Sequence, residues 1–146
     1  MAGRRLRLDA GGYLPAAWVG VLGALLLSAT ALAEPPPPLK TLQGWQPGAW
    51  TVTPVGSGGP GRGAQAQCLR DPVRMLTGGR SGGACRFSVH SDNAEGAALT
   101  WRCDGGPSGR TELRRDAAGL YTVWVHGLEQ GQPFELREEW RRTGAC

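Results

Sequence analysis

Histidine is scarce in this 146-residue chain, which has two copies only. Neither His90 nor His126 stands near a serine or cysteine motif that would make it the base for a nucleophile, so no catalytic residue is assigned. No C-x-x-C pair occurs, which argues against a structural zinc site and against a dithiol redox enzyme. There is no P-loop and no dinucleotide fingerprint, so the glycine-rich stretch at 56–63 carries no phosphate chemistry and no cofactor is expected. A strong charge of one sign is also missing. The formal net charge is +4, too small and too interspersed to suggest a nucleic-acid partner.

Long apolar runs are absent apart from residues 16–27, which follow Arg4, Arg5 and Arg7 and end before Ala31-Leu32-Ala33. A spanning helix needs about 20 apolar residues, and Gly20, Gly23 and Ser28 dilute this run. A basic head, a short apolar run and small residues at the cleavage positions read as a secretory signal peptide over 1–33, cut after Ala33. Membrane contact is then limited to the leader before cleavage. The remaining chain would be periplasmic or secreted, with a net charge of +2 once three arginines and one aspartate have gone. Residues 34–42 hold four consecutive prolines, a stiff polyproline spacer.

From residue 43 to 146 the pattern is that of strands. Trp50 and Val52 share one face, and a returning strand at 64–69 would carry Ala64, Ala66 and Cys68 in phase. Asp71-Pro72 opens a single helical turn at 73–76. Cys85, Phe87 and Val89 alternate with polar residues, as do Leu99, Trp101 and Cys103. Three runs at 99–103, 110–115 and 120–126 form a meander, and 127–133 reads as a loop before a last strand, where Glu138 falls on the apolar phase. Either that strand bulges at Glu138 or its face opens to solvent there. The fold expected is mainly β: a small antiparallel meander, strongly curled or closed as a small barrel, with one short helix and two disulfides.

Four cysteines, at 68, 85, 103 and 146, follow an export signal and read as two disulfides. A meander favours neighbours in sequence, which pairs Cys68 with Cys85 and Cys103 with Cys146. Losing either bridge should cost roughly 2–5 kcal/mol, a large share of the stability of so small a domain.

The Pro47-Gly48-x-Trp50 opening, Gln67-Cys68-Leu69, the isolated Cys85, Cys103 followed by glycines and the closing Arg142-Thr143-Gly144-Ala145-Cys146 together resemble an exported bacterial family known as domain of unknown function number 3617. The likeness runs over nearly all of the chain after the leader. The resemblance implies a small, disulfide-bonded, mostly β protein outside the cytoplasm, and it implies no catalytic residues. The long glycine-rich loop at 56–63 departs from it.

Tryptophan is the surplus, with five copies after the leader. Trp50, Trp101 and Trp140 fall on core phases, whereas Trp124 alternates against Tyr121, Val123 and Val125. An exposed Trp124 beside Arg114 or Arg137 would be a partner contact, and Tyr121 belongs to the same candidate set. The function expected is non-enzymatic binding of a small apolar ligand or an envelope partner protein. The alternative is inhibition of an envelope or secreted hydrolase by the loops at 56–63 or 104–109.

Overall fold

The computed structural model describes residues 35–56, 63–80 and 83–146. The expected leader and most of the 56–63 loop lie outside them. Seven strands, β1 (Gly48–Pro54), β2 (Gln65–Leu69), β3 (Cys85–Asp92), β4 (Gly96–Cys103), β5 (Ser108–Ala117), β6 (Leu120–Glu129) and β7 (Gln132–Gly144), form one sheet in the order β2-β1-β7-β6-β5-β4-β3. Every neighbouring pair is antiparallel. The meander is therefore longer than its sequence signals, and the sheet is not closed into a barrel: β2 and β3 are its two edges.

The period-two alternation read from the sequence gives the sheet an inner face. Leu99, Trp101, Leu113, Tyr121, Val123, Val125, Trp140, Trp50 and Val52 all project there and are buried. Each such side chain contributes roughly 1.5–3 kcal/mol by leaving water. A helix of one turn, α1 (Val73–Leu76), lies on this face, with Met75 and Leu76 fully buried. Its start is held by Asp71, whose Oδ1 accepts the Val73 N–H at 2.9 Å, with Pro72 itself at the N-cap rather than at the first helical position. The chain leaving α1 is fastened as well. The Arg80 guanidinium carbon sits 3.8 Å from the centre of the Phe134 ring, and Arg80 Nε lies 3.3 Å from Glu129 Oε2.

A buried hydrogen-bond chain ties α1 to the sheet. The Trp101 indole N–H donates to Thr111 Oγ1 at 3.0 Å, and the Thr111 hydroxyl donates to the Leu76 carbonyl at 2.6 Å. Trp101 can lie over β5 because its register partner is Gly109, where a Cβ would come within 2.9 Å of the indole. Gly109 in turn faces Gly127 on β6, and a side chain at Gly127 would collide with the Ser108 carbonyl. Gly127 thus sits inside a strand, and the loop expected over 127–133 shrinks to Gln130 and Gly131. Both have positive φ, 52° and 77°, as a two-residue hairpin turn of right-handed twist requires.

The second cover of the inner face is a strap formed by residues 39–45. Leu39 is 5% exposed and Thr41 is fully buried, so packing begins inside the stretch expected to be spacer. The strap is pinned by Asp92 at the end of edge strand β3. Its carboxylate accepts the Lys40 N–H at 2.6 Å, the Thr41 N–H at 3.1 Å and the Thr41 hydroxyl at 3.2 Å. Further along, Trp45 stacks on Trp50 with ring centres 5.6 Å apart.

The disulfides pair Cys68 with Cys146 and Cys85 with Cys103, which overturns the expected pairing of Cys68 with Cys85 and Cys103 with Cys146. Sheet order is the reason. Strands β2 and β3 are consecutive in the chain but occupy opposite edges of the sheet, so Cys68 and Cys85 cannot meet. Cys85 instead stands directly across from Cys103 in the β3–β4 register, with Cα atoms 3.9 Å apart. Strand β7 pairs with β1, next to β2, and this carries Cys146 to Cys68. Cys68 is also off the apolar phase: it is exposed, while Leu69 is the buried residue of β2. Two disulfides are consistent with an oxidising compartment. Among the described residues no helix is long and apolar enough to cross a membrane.

Glu138 resolves as the second of its two options. The β6–β7 register runs through Val123↔Glu138 without a break, so there is no bulge at that residue. It lies half-buried on the inner face and accepts the Trp140 indole N–H at 3.1 Å.

Candidate functional site

The outer face of the sheet is where chemistry is presented to solvent, and strand register orders it into rows. One row runs Ala98, Glu112, Trp124 and Arg137 across β4, β5, β6 and β7. The row beside it holds Ser88, Thr100, Arg110, His126 and Glu135. A third holds Arg86, Arg102, Ser108 and Leu128. Same-face neighbours in such rows are close enough to interact directly.

Trp124 is 42% exposed, on the face opposite the core. Its indole N–H donates to Glu135 Oε1 at 3.0 Å, and the His126 ring stands edge-on with its centre 6.3 Å away. Arg137 is its register partner on β7 and Glu112 its partner on β5. Trp124, Arg114 and Arg137 line one groove of about 510 Å³, together with Glu112, Thr122 and Asn93. Arg114 is oriented by Asp116, 2.7 Å from its Nε.

Three of the four residues expected to form a binding surface are thus brought together, and the fourth is not. Tyr121 is 0% exposed and points inward, its ring centre 6.0 Å from that of Trp50. Trp124 stands three positions from Tyr121 and one from each of Val123 and Val125, and in a strand an odd offset is a change of face. Burial pushes the Tyr121 phenol above its usual range, only partly countered by the positive charge of Arg115. Its hydroxyl has no hydrogen-bond partner among the described residues. Tyr121 is a core residue.

A second groove, of about 480 Å³, occupies a corner of the same face and is lined by Arg86, Ser88, Thr100, Arg102, Arg110 and His126. No local signal in the sequence joins these residues, because only strand register brings them together. The native Cys85–Cys103 bridge sets that register and places Arg86 directly across from Arg102.

Both histidines lie on the polar phase as expected, and both are exposed. His90 Nε2 is 3.1 Å from Thr100 Oγ1. Among the described residues no group of three or more histidine, cysteine, aspartate or glutamate side chains is placed to hold a metal ion, and all four cysteines are in disulfides. Elsewhere the notable titrating group is Asp92. Burial raises its pKa, but the hydrogen bonds from Lys40 and Thr41 outweigh that and hold the carboxyl below its ordinary value.

No family model, no curated protein and no solved structure matches this chain. The resemblance to domain of unknown function 3617 therefore rests on the residues quoted for it alone.

Proposed function

We propose that the chain is a non-enzymatic binding module of the cell envelope, periplasmic or secreted, that docks a partner protein on the outer face of its sheet around Trp124. The observation that carries this reading is the position of Trp124. The residue is 42% exposed amid register neighbours of opposite charge. Large aromatic and arginine side chains in such settings are the usual anchors of protein interfaces. The apolar-ligand alternative needs the inner face of β6 to be open, and that face is occupied: Tyr121, Val123 and Val125 are fully buried, with α1 packed on β6.

The test is native mass spectrometry of the protein isolated from its own envelope, wild type beside Trp124→Ala. A retained protein mass, weakened about thirtyfold or more by the substitution as for a 2 kcal/mol anchor, is the expected result. An empty wild-type protein, a small apolar mass released on unfolding, or a complex indifferent to Trp124→Ala would overturn the reading.

The hydrolase-inhibitor alternative draws on a different feature, the turn at 104–107. It is rigid, with Asp104 N–H on the Ala84 carbonyl at 2.9 Å and Cys103 N–H on the Pro107 carbonyl at 3.0 Å, beside a disulfide. Grafting glycines through that turn would abolish inhibition on this reading and leave Trp124-dependent docking intact.

A further inference from the structure

The corner groove presents an unusual charge arrangement for a sheet. Arg86 and Arg102 are direct register partners on β3 and β4, and like charges directly opposite one another are destabilising. Arg110 and His126 are likewise register partners on β5 and β6. Elsewhere on this face a basic residue meets an aromatic or a neutral residue: Arg137 lies across from Trp124 and Arg114 from Thr122. Basic residues are thus concentrated at one corner.

The acids nearby offset only part of that charge. Asp104 pairs with Arg86 at 3.0 Å and Glu112 with Arg110 at 3.4 Å, and Glu135, whose Oε1 accepts the Trp124 indole N–H, stands across from His126. Arg102 is exposed and has no carboxylate within ion-pair distance among the described residues. The hydroxyls of Ser88, Thr100 and Ser108 line the same groove. Guanidinium forks, an imidazole and hydroxyls around a shallow basin are the donors that a tetrahedral oxyanion takes.

We infer that the groove bordered by Arg86, Arg102, Arg110 and His126 binds a phosphate group carried by an envelope ligand, with Arg102 as its principal contact. The bound anion relieves the repulsion between Arg86 and Arg102 that the empty sheet sustains. This goes beyond the partner reading and is tested with a probe that reading does not use.

The experiment titrates inorganic pyrophosphate into the disulfide-bonded protein at low ionic strength, following arginine Nε–H resonances and the melting temperature. Pyrophosphate is expected to shift the Arg86, Arg102 and Arg110 signals and to raise the melting temperature. Arg102→Gln is expected to weaken binding roughly tenfold or more, since a hydrogen bond to a charged group is lost. Arg86→Gln should weaken it similarly, and Arg74→Gln, an exposed charge on α1, should not. Without pyrophosphate, Arg102→Gln should melt no lower than wild type, because it removes a like-charge pair. Absence of any shift at millimolar pyrophosphate would overturn the inference, as would equal weakening by Arg74→Gln or wild-type affinity in Arg102→Gln.

Vesicles then separate the sources of the phosphate. Arg102-dependent sedimentation with phosphatidylglycerol but not phosphatidylcholine assigns it to a lipid headgroup. Pyrophosphate binding without sedimentation assigns it to a soluble phosphorylated ligand.

Discussion

Replacing Thr111 by valine tests whether α1 is bonded to the sheet or merely rests on it. The substitution keeps the side-chain shape and deletes one hydroxyl, which accepts from the Trp101 indole and donates to the Leu76 carbonyl. Thr111 is fully buried, so water cannot replace either partner without opening the core. A buried polar group stripped of its partner costs about 1–3 kcal/mol, and two are stripped here, which places the loss near 3 kcal/mol. For a domain of about this size that lowers the melting temperature by roughly 10–15 °C. Thr111→Ser is the control. It keeps the hydroxyl and removes one methyl, at a cost of about 1 kcal/mol. Urea unfolding with the disulfides intact gives both values on one scale. If the valine variant is as stable as the serine variant, the hydrogen-bond chain contributes nothing net, and α1 is held by Met75 and Leu76 alone.

Two further perturbations follow from the covers and clasps of the sheet. Asp92 has its folded pKa held below the unfolded value of about 3.9. Its contribution is therefore complete above that value and lost as pH falls through the lower folded one. Urea midpoints of wild type and Asp92→Asn should differ by a constant amount above about pH 5 and converge under acid, and a gap that persists at low pH would contradict the clasp. The two disulfides close loops of very different length, with sequence separations of 78 and 18. The loop model then gives about 4.5 kcal/mol for Cys68–Cys146 and about 3 kcal/mol for Cys85–Cys103. Cys68 and Cys146 are exposed while Cys85 and Cys103 are buried, so mild reductant followed by alkylation should label 68 and 146 first.

Strand existence is readable in this sequence wherever large apolar residues alternate with polar ones, and face is too except where register shifts, as at Val89, which shares the phase of Cys85 and Phe87 yet is 41% exposed. Leu99, Trp101 and Leu113 needed no knowledge of their neighbours to be placed inward, whereas Trp124 and Tyr121 stand on opposite phases of β6 and only the sheet shows which of the two phases is covered. The α1 turn was equally readable from Asp71-Pro72. What failed depended on partners far away in the chain. Nothing local says that β7 pairs with β1, and without that pairing the β2 and β3 edges cannot be known to stand apart, which is why pairing cysteines by nearness in sequence fails. Gly127 read as a breaker because its reason for being glycine, close approach of the Ser108 backbone, belongs to another strand. The arginine corner was hidden for the same reason. Arg86 and Arg102 become neighbours only once Cys85 and Cys103 do.

The order β2-β1-β7-β6-β5-β4-β3 also sets a timetable. A chain that becomes available from its N-terminus can zip β3 through β7 as successive hairpins, but the β1–β2 hairpin has no seat until the last strand arrives. Cys68 precedes the other three cysteines and its partner, Cys146, follows β7. While it waits, Cys85 and Cys103 pass by as free thiols, each a competent wrong partner. One bridge is nested inside the span of the other, and nested bridges are those that sequential oxidation misjoins. Native pairing at Cys68 therefore waits for β7 to take its place beside β1.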